Sequence, residues 1–92
     1  MIRSFIHKGL KRFFESGTTK GIKADHASKL RRILTALNIA ASIEDMRLPG
    51  FRLHQLTGNR SGIWSVWVSG NWRVTFRFED GDAEIVNYED YH

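Results

Sequence analysis

The spacing of apolar residues changes once along the chain, and this change constrains the fold more than any other feature. Up to about residue 41, apolar side chains recur at the three- and four-residue spacing of amphipathic helices. Pro49 and Gly50 interrupt this pattern, and from residue 51 onward apolar and polar residues alternate with the two-residue period of strands. Helices that precede an antiparallel sheet predict an α+β domain.

Two helices are predicted in the first half, after a short strand at residues 2–5 whose place at the edge or the centre of the sheet is open. The first covers residues 7–15 and ends at Gly17, a typical C-terminal cap. The second begins at Asp25 as N-cap and runs to about residue 41. Its apolar face carries Leu30, Ile33, Leu34, Leu37 and Ala41.

The second half predicts an antiparallel meander of about four strands. A short strand is expected around residues 52–56, followed by alternating segments at 64–68 and 72–79 and a last strand at 83–88. Glycine-containing turns at residues 69–71 and 80–82 join them as hairpins. If the helices cover one face of this sheet, the other face exposes Arg73, Thr75 and Arg77.

Length and composition exclude several classes of protein. The 92 residues predict a single domain, residues 1–92. The absence of cysteine excludes disulfides, thiolate catalysis and cysteine zinc sites. No apolar run approaches the roughly 20 residues that span a bilayer, and the amphipathic start lacks the apolar core of a signal peptide. We therefore expect no membrane association and a cytoplasmic location.

The charge is unevenly distributed. Residues 1–32 contain nine Lys and Arg against two acidic residues, whereas residues 33–92 contain five against eight. A basic half on a small domain favours a polyanionic partner such as nucleic acid or an acidic protein. A solvated helix face with no partner is the other interpretation of the same charges.

The four histidines do not form a metal motif. No pair has metal-ligand spacing, and the chain has no cysteine to complete a site, so neither a metal nor any other cofactor is expected. His7 and His26 fall near the predicted helix starts, where surface histidines are common. The chain also lacks the motifs of esterases, P-loop nucleotide hydrolases and dinucleotide-binding proteins.

The C-terminus and two upstream residues offer the groups that metal-independent RNA cleavage requires. Asp90, Tyr91 and His92 are expected just past the last strand, Arg73 lies on the neighbouring strand, and His54 could reach the same rim. Such cleavage needs a base for the 2′-hydroxyl, a cation for the phosphorane and an acid for the leaving oxygen. A solvated tail beside an ordinary exposed sheet face is the alternative interpretation.

Four segments together resemble one known family. They are MIRSF at the start, LHQLTGNRSG at residues 53–62, NWRVTF at residues 71–76 and NYEDYH at residues 87–92. In order and spacing they are similar to the HigB toxins, which belong to the RelE superfamily of type II toxin–antitoxin systems. The resemblance covers the whole chain and implies the compact RelE-like α+β fold.

The resemblance also implies a function and partners. HigB toxins are ribosome-dependent mRNA endonucleases that cut the codon in the A site and favour adenine-rich codons. Each is neutralised by a HigA-type antitoxin, a helix-turn-helix protein, and the complex binds operator DNA and represses its own operon. The expected partners are therefore this antitoxin, the ribosome with its mRNA and, through the complex, operator DNA.

The family's functional residues correspond to His54, Arg73, Asp90, Tyr91 and His92. Arg73 would hold the scissile phosphate, because a guanidinium stays charged and binds phosphate oxygens in pairs. Either His92 or His54 would be the general base, and Asp90 could orient an imidazole. Tyr91 would stack on a base or position the phosphate.

The basic residues of the first half would then contact ribosomal RNA phosphates independently of sequence. They are Lys8, Lys11, Arg12, Lys20, Lys23, Lys29, Arg31 and Arg32. One position departs from the family pattern, since Thr57 stands where relatives can carry a basic residue before the glycine. Arg52 and Arg60 are the candidate replacement cations.

Three other functions remain open at this stage. The chain could be a non-catalytic regulatory module that pairs with a helix-turn-helix repressor, a ribonuclease that needs no ribosome, or a plain RNA-binding protein. Growth arrest on expression without the antitoxin would argue against the regulatory module. Degradation of naked RNA would indicate the ribosome-independent ribonuclease, and salt-dependent binding without cleavage would indicate the RNA-binding protein.

Overall fold

A computed structural model of the chain describes residues 1–90. Helix α1, Lys8–Ser16, begins at His7, whose Nδ1 accepts a hydrogen bond from the Leu10 amide at 3.0 Å. The helix ends at Gly17, which adopts the left-handed conformation that glycine favours, with φ of 80°. The predicted first helix and its glycine cap are thus confirmed.

Helix α2, Ala27–Ile39, confirms the second predicted helix but not its ends. A short 3₁₀ turn, Ala24–His26, precedes it, so Asp25 lies within that turn and His26 occupies the N-cap position. The helix stops before Ala40, which is extended, and the predicted core residue Ala41 is exposed. The cap prediction was wrong because the backbone already turns at Ala24, one residue before Asp25, and His26 at the N-cap position makes no side-chain cap hydrogen bond.

Four antiparallel strands follow in the order β1-β2-β3-β4, which confirms the predicted meander and the α+β class. They are β1, His54–Gln55; β2, Trp64–Ser69; β3, Trp72–Glu79; and β4, Asp82–Asp90. Strand β1 is shorter than predicted, since Arg52 has a positive φ of 48° that interrupts extended backbone. Strand β4 is longer and continues through Asp90.

The N-terminal segment lies parallel to β4 at the edge of the sheet. It forms two isolated bridges, between Ile2 and Ala83 and between Phe5 and Val86, rather than a continuous strand. Its backbone hydrogen bonds include one from the Val86 amide to the Ser4 carbonyl at 3.0 Å. The prediction left its position open, and the structure places it at the edge.

A bulge in β4 explains why its buried residues do not alternate strictly. Opposite β3, the register shifts so that Ile85 and Val86 together face a single residue. Ile85 has a φ of 49°, strained for a β-branched residue, and its amide donates to the Ser4 hydroxyl at 2.8 Å. The bulge turns Val86 into the core on the same side as Ala83.

The core lies between the helices and one face of the sheet, which we call the helix face. Leu10 and Phe13 of α1 and four residues of α2 pack against Val66, Val74, Phe76 and Val86. The α2 residues are Leu30, Ile33, Leu34 and Leu37. None of the helices within residues 1–90 is long and apolar enough to cross a membrane.

Candidate active site

The side of the sheet turned away from the helices, which we call the far face, collects polar residues from all four strands. Cross-strand pairing aligns one residue from each strand in a single row, which contains His54, Ser65, Thr75 and Asn87. The cross-strand pair of Arg73 and Glu89 lies beside this row. Thr75 lies on this face as predicted but is buried there, with only 2% of its surface exposed.

Arg73 is one of two far-face residues that have a buried polar side-chain atom without a partner within residues 1–90. It is half-buried, and within residues 1–90 its buried Nη1 atom makes no hydrogen bond. The hydroxyl of Ser65 is buried and lacks a partner in the same part of the chain. Buried polar groups are almost always paired, so both atoms could take up a further acceptor. Since Nη1 is itself buried, a phosphate oxygen would reach the Arg73 guanidinium through the part of this half-buried side chain that is exposed.

Glu89, opposite Arg73, is tightly held by other residues. Arg60 donates to both carboxylate oxygens at 3.0 and 2.7 Å, and the Thr75 hydroxyl donates to Oε2 at 2.6 Å. The Arg60 hydrogen bond is the largest cause that lowers the pKa of Glu89, while burial opposes it. Neither Glu89 nor this pairing was predicted, because Arg60 lies 29 residues away in a loop.

His54 lies exposed at the end of the far-face row. Its Nδ1 is 3.2 Å from the Arg52 carbonyl oxygen, which can only accept, so this contact requires a proton on Nδ1. In the neutral imidazole the other ring nitrogen then carries the lone pair and can act as a base. Strand spacings separate the Cα atoms of His54 and Arg73 by roughly 12 Å, and two extended side chains can span this distance.

Asp90 occupies a different position from the one predicted. It belongs to β4 and pairs with Trp72. Strand alternation therefore directs its side chain to the helix face, whereas Arg73 lies on the far face. The prediction that it lies past the strand end was wrong, because pairing with β3 continues to Trp72. Tyr91 and His92 lie outside the described residues.

A buried aromatic cluster beneath this end of the sheet was missed. His26 is 6% exposed, and its Nδ1 lies 2.6 Å from the Tyr88 hydroxyl. Trp72 packs on Tyr88 with ring centres 4.6 Å apart, and His7 meets Tyr88 edge-on at 5.2 Å. Burial lowers the pKa of both histidines and raises that of Tyr88. The interpretation of His26 as a surface residue was wrong.

The basic residues proposed for RNA contact lie on the helical half, and all are exposed except Lys29, which is half-buried. Lys29 donates to the Gly50 carbonyl at 2.9 Å and lies over the Trp67 ring at 4.7 Å. Burial lowers its pKa, with smaller contributions from Arg32 and Arg52. Lys29 therefore connects α2 to the sheet in addition to any contact with RNA.

The two candidate substitutes for a cation at Thr57 are both engaged elsewhere. Arg60 binds Glu89, and Arg52 lies 4.1 Å from the centre of the Trp67 ring. Thr57 itself is exposed and precedes a short 3₁₀ turn, Gly58–Arg60. Within residues 1–90, no three His, Asp or Glu side chains are grouped so that they could hold a metal ion.

Comparison with known proteins gives full-length similarity to one family. Residues 3–92 match the family model described as the HigB-like toxin, a RelE-like toxin of type II toxin–antitoxin systems. The chain is 48% identical over 92 residues to Endoribonuclease HigB of Proteus vulgaris, with both chains fully covered. It is 33% identical over 94 residues to Toxin HigB-1 of Vibrio cholerae serotype O1, covering 100% of this chain and 98% of that one.

Proposed function

Because the chain belongs to the HigB-like family of RelE-like toxins of type II toxin–antitoxin systems, we propose that it is a toxin that cleaves mRNA in the ribosomal A site. The full-length similarity to an endoribonuclease supports the ribonuclease activity. Arg73 provides the structural observation that supports the proposal. Its side chain is half-buried, and its Nη1 has no partner within residues 1–90. A phosphate is the ligand that such a group binds best.

The proposed reaction uses no metal. A base removes the proton of the 2′-hydroxyl, the resulting oxygen attacks the adjacent phosphorus, and the 5′-oxygen leaves with a proton from an acid. The products are a 2′,3′-cyclic phosphate and a 5′-hydroxyl. Arg73 stabilises the negative charge that develops on the phosphorane oxygens.

The base is either His54 or His92, and the other imidazole then serves as the acid. The contact of His54 Nδ1 with a carbonyl is compatible with His54 as a base, since in the neutral imidazole it places the lone pair on the other ring nitrogen. Asp90 would orient the imidazole of His92, and Tyr91 would stack on a base of the codon.

The basic helical half is proposed to bind ribosomal RNA through its phosphates. We expect the triple charge reversal Lys8→Glu, Lys11→Glu and Arg12→Glu to weaken ribosome binding. The slope of the logarithm of the binding constant against the logarithm of the salt concentration should become less negative by about three. Arg47→Glu, an exposed change in the acidic half, is the matched control. Binding that does not respond to salt in the wild-type chain would contradict this assignment.

A type II toxin has an antitoxin, and we propose that this partner is a HigA-type helix-turn-helix protein. The complex would bind operator DNA, and the toxin alone would act on ribosomes in the cytoplasm. The net charge of +4 favours an antitoxin with acidic patches.

The deciding experiment is mRNA cleavage in a defined translation complex. Purified chain is mixed with ribosomes that hold an adenine-rich codon in the A site, beside naked mRNA and beside the Arg73→Ala and His92→Ala variants. We expect cleavage on the ribosome only, and its loss in both variants. Cleavage of naked mRNA would indicate a ribosome-independent nuclease, and a folded but inactive wild-type chain would indicate a regulatory module.

A further inference from the structure

Arg73 and Glu89 are opposite charges on directly paired positions of β3 and β4, yet no ion pair joins them in the described chain. Cross-strand neighbours of this kind have Cβ atoms about 5 Å apart and commonly form an ion pair. Here the Glu89 carboxylate turns instead toward Thr75 and the loop that follows β1. In the structure, other residues therefore occupy the Glu89 carboxylate in place of Arg73.

Arg60 makes a two-point contact with Glu89. Both guanidinium Nη atoms donate, one to each carboxylate oxygen, at 3.0 and 2.7 Å. Such paired charge-assisted hydrogen bonds are among the strongest in proteins. The Thr75 hydroxyl adds a third bond at 2.6 Å, so the carboxylate is largely occupied by partners other than Arg73.

We propose that Arg60 is a positioning residue that keeps Glu89 away from Arg73, so that the Arg73 guanidinium stays available for the scissile phosphate. The inference rests on the proposed function, in which Arg73 binds that phosphate. Arg60 itself need not touch RNA. It acts by neutralising the one carboxylate that lies opposite Arg73 on the neighbouring strand.

This role makes a distinctive prediction for paired substitutions. Arg60→Met releases the Glu89 carboxylate, which then pairs with Arg73 and competes with the phosphate. Removing that carboxylate as well, in Arg60→Met/Glu89→Gln, leaves Arg73 available again. An arginine that only fastened the loop to the sheet would show no such rescue, because the double variant lacks the same ion pair.

The test is single-turnover cleavage of the A-site codon at saturating toxin, with folding checked by thermal melting. Complete removal of a donor to a developing oxyanion costs about a hundredfold to a thousandfold in rate, so partial neutralisation of Arg73 by Glu89 should cost roughly tenfold in Arg60→Met. We expect Glu89→Gln and the double variant to agree within about threefold. Arg47→Met is the matched control, since Arg47 also pairs with a glutamate but far from Arg73 in sequence and on the exposed surface.

The outcomes separate this inference from the proposed function. A double variant as slow as Arg60→Met overturns the inference, and so does an unimpaired Arg60→Met when Arg73→Ala is inactive. If Arg73→Ala cleaves as fast as the wild type, the proposed site itself fails. Should Arg60→Met not fold, Thr75→Val provides the second route: it should slow cleavage less, and adding Glu89→Gln should remove the defect. A Thr75→Val defect that Glu89→Gln does not relieve would also overturn the inference.

Discussion

The two faces of the sheet differ in whether their buried polar groups have hydrogen-bond partners, at the end where β3 meets β4. On the helix face, His26 and Tyr88 are both nearly buried, and they are joined by a 2.6 Å hydrogen bond. On the far face, the Arg73 Nη1 atom and the Ser65 hydroxyl are buried without a partner within residues 1–90. Within residues 1–90, the helix face thus pairs its buried His26 and Tyr88, whereas the far face leaves these two buried atoms without a partner.

This difference indicates what each face contributes. A satisfied polar pair among aromatic rings stabilises the fold and fixes the backbone of β4. An unsatisfied guanidinium costs stability in the free protein and is retained where a ligand completes its hydrogen bonds. Changes to the buried His26–Tyr88 pair should therefore appear mainly in stability, and changes to Arg73 mainly in activity.

The largest expected effect is on the far face, in Arg73→Ala. We expect RNA cleavage to fall by about a hundredfold to a thousandfold, because the donor to the developing phosphorane charge is lost. The free energy of unfolding should change by less than about 1 kcal/mol, since the removed Nη1 has no hydrogen bond within residues 1–90.

Denaturant unfolding and single-turnover cleavage measure the two quantities on one preparation. Arg77→Ala, an exposed arginine on the same strand, is the control and should retain cleavage. If Arg73→Ala unfolds several kcal/mol more easily than Arg77→Ala, Arg73 belongs to the packing of the sheet and the contrast between the faces does not hold.

A smaller effect is expected on the helix face, in Tyr88→Phe, which should lower stability rather than cleavage. Loss of the hydroxyl leaves the His26 Nδ1 buried without its partner, which should cost about 1–3 kcal/mol of unfolding free energy. Cleavage per folded molecule should stay within a few-fold of the wild type. The double variant Tyr88→Phe/His26→Leu should lose less than the sum of the single changes, because both members of the pair are then apolar. A hundredfold loss of cleavage in folded Tyr88→Phe would show that the two faces are not independent.

The fold was predictable from sequence because it depends on local patterns. Apolar spacing indicated both helices and the meander, and Gly17 marked the end of α1. The errors occurred where distant contacts override local preference. The 3₁₀ turn before α2 includes Asp25, and the buried His26 that ends this turn pairs with a residue 62 positions away. The bulge at Ile85 likewise depends on Ser4, 81 positions away.

The candidate site was only partly predictable for the same reason. A family motif can mark His54 and Arg73, but alternation along β4 is needed to see that Asp90 and Glu89 point to opposite faces. The pairing of Arg60 with Glu89 crosses from a loop to a strand, and no spacing rule indicates it. The sequence thus predicted candidate reactive groups, whereas the partners that hold them became visible only in the three-dimensional structure.

The smallest expected effect is a dependence of stability on pH that originates on the helix face. Burial lowers the pKa of His26 and His7 in the folded protein, so below about pH 6.5 the unfolded chain binds more protons. The free energy of unfolding should therefore fall as the pH is lowered through 6.5, until the folded-state pKa values are reached. His26→Gln should make this fall shallower. Asp25→Asn should make it steeper, since the Asp25 carboxylate raises the pKa of His26 against the effect of burial. Chemical denaturation between pH 5 and 8 measures the slopes, and a slope that His26→Gln leaves unchanged would show that the buried imidazole is not its source.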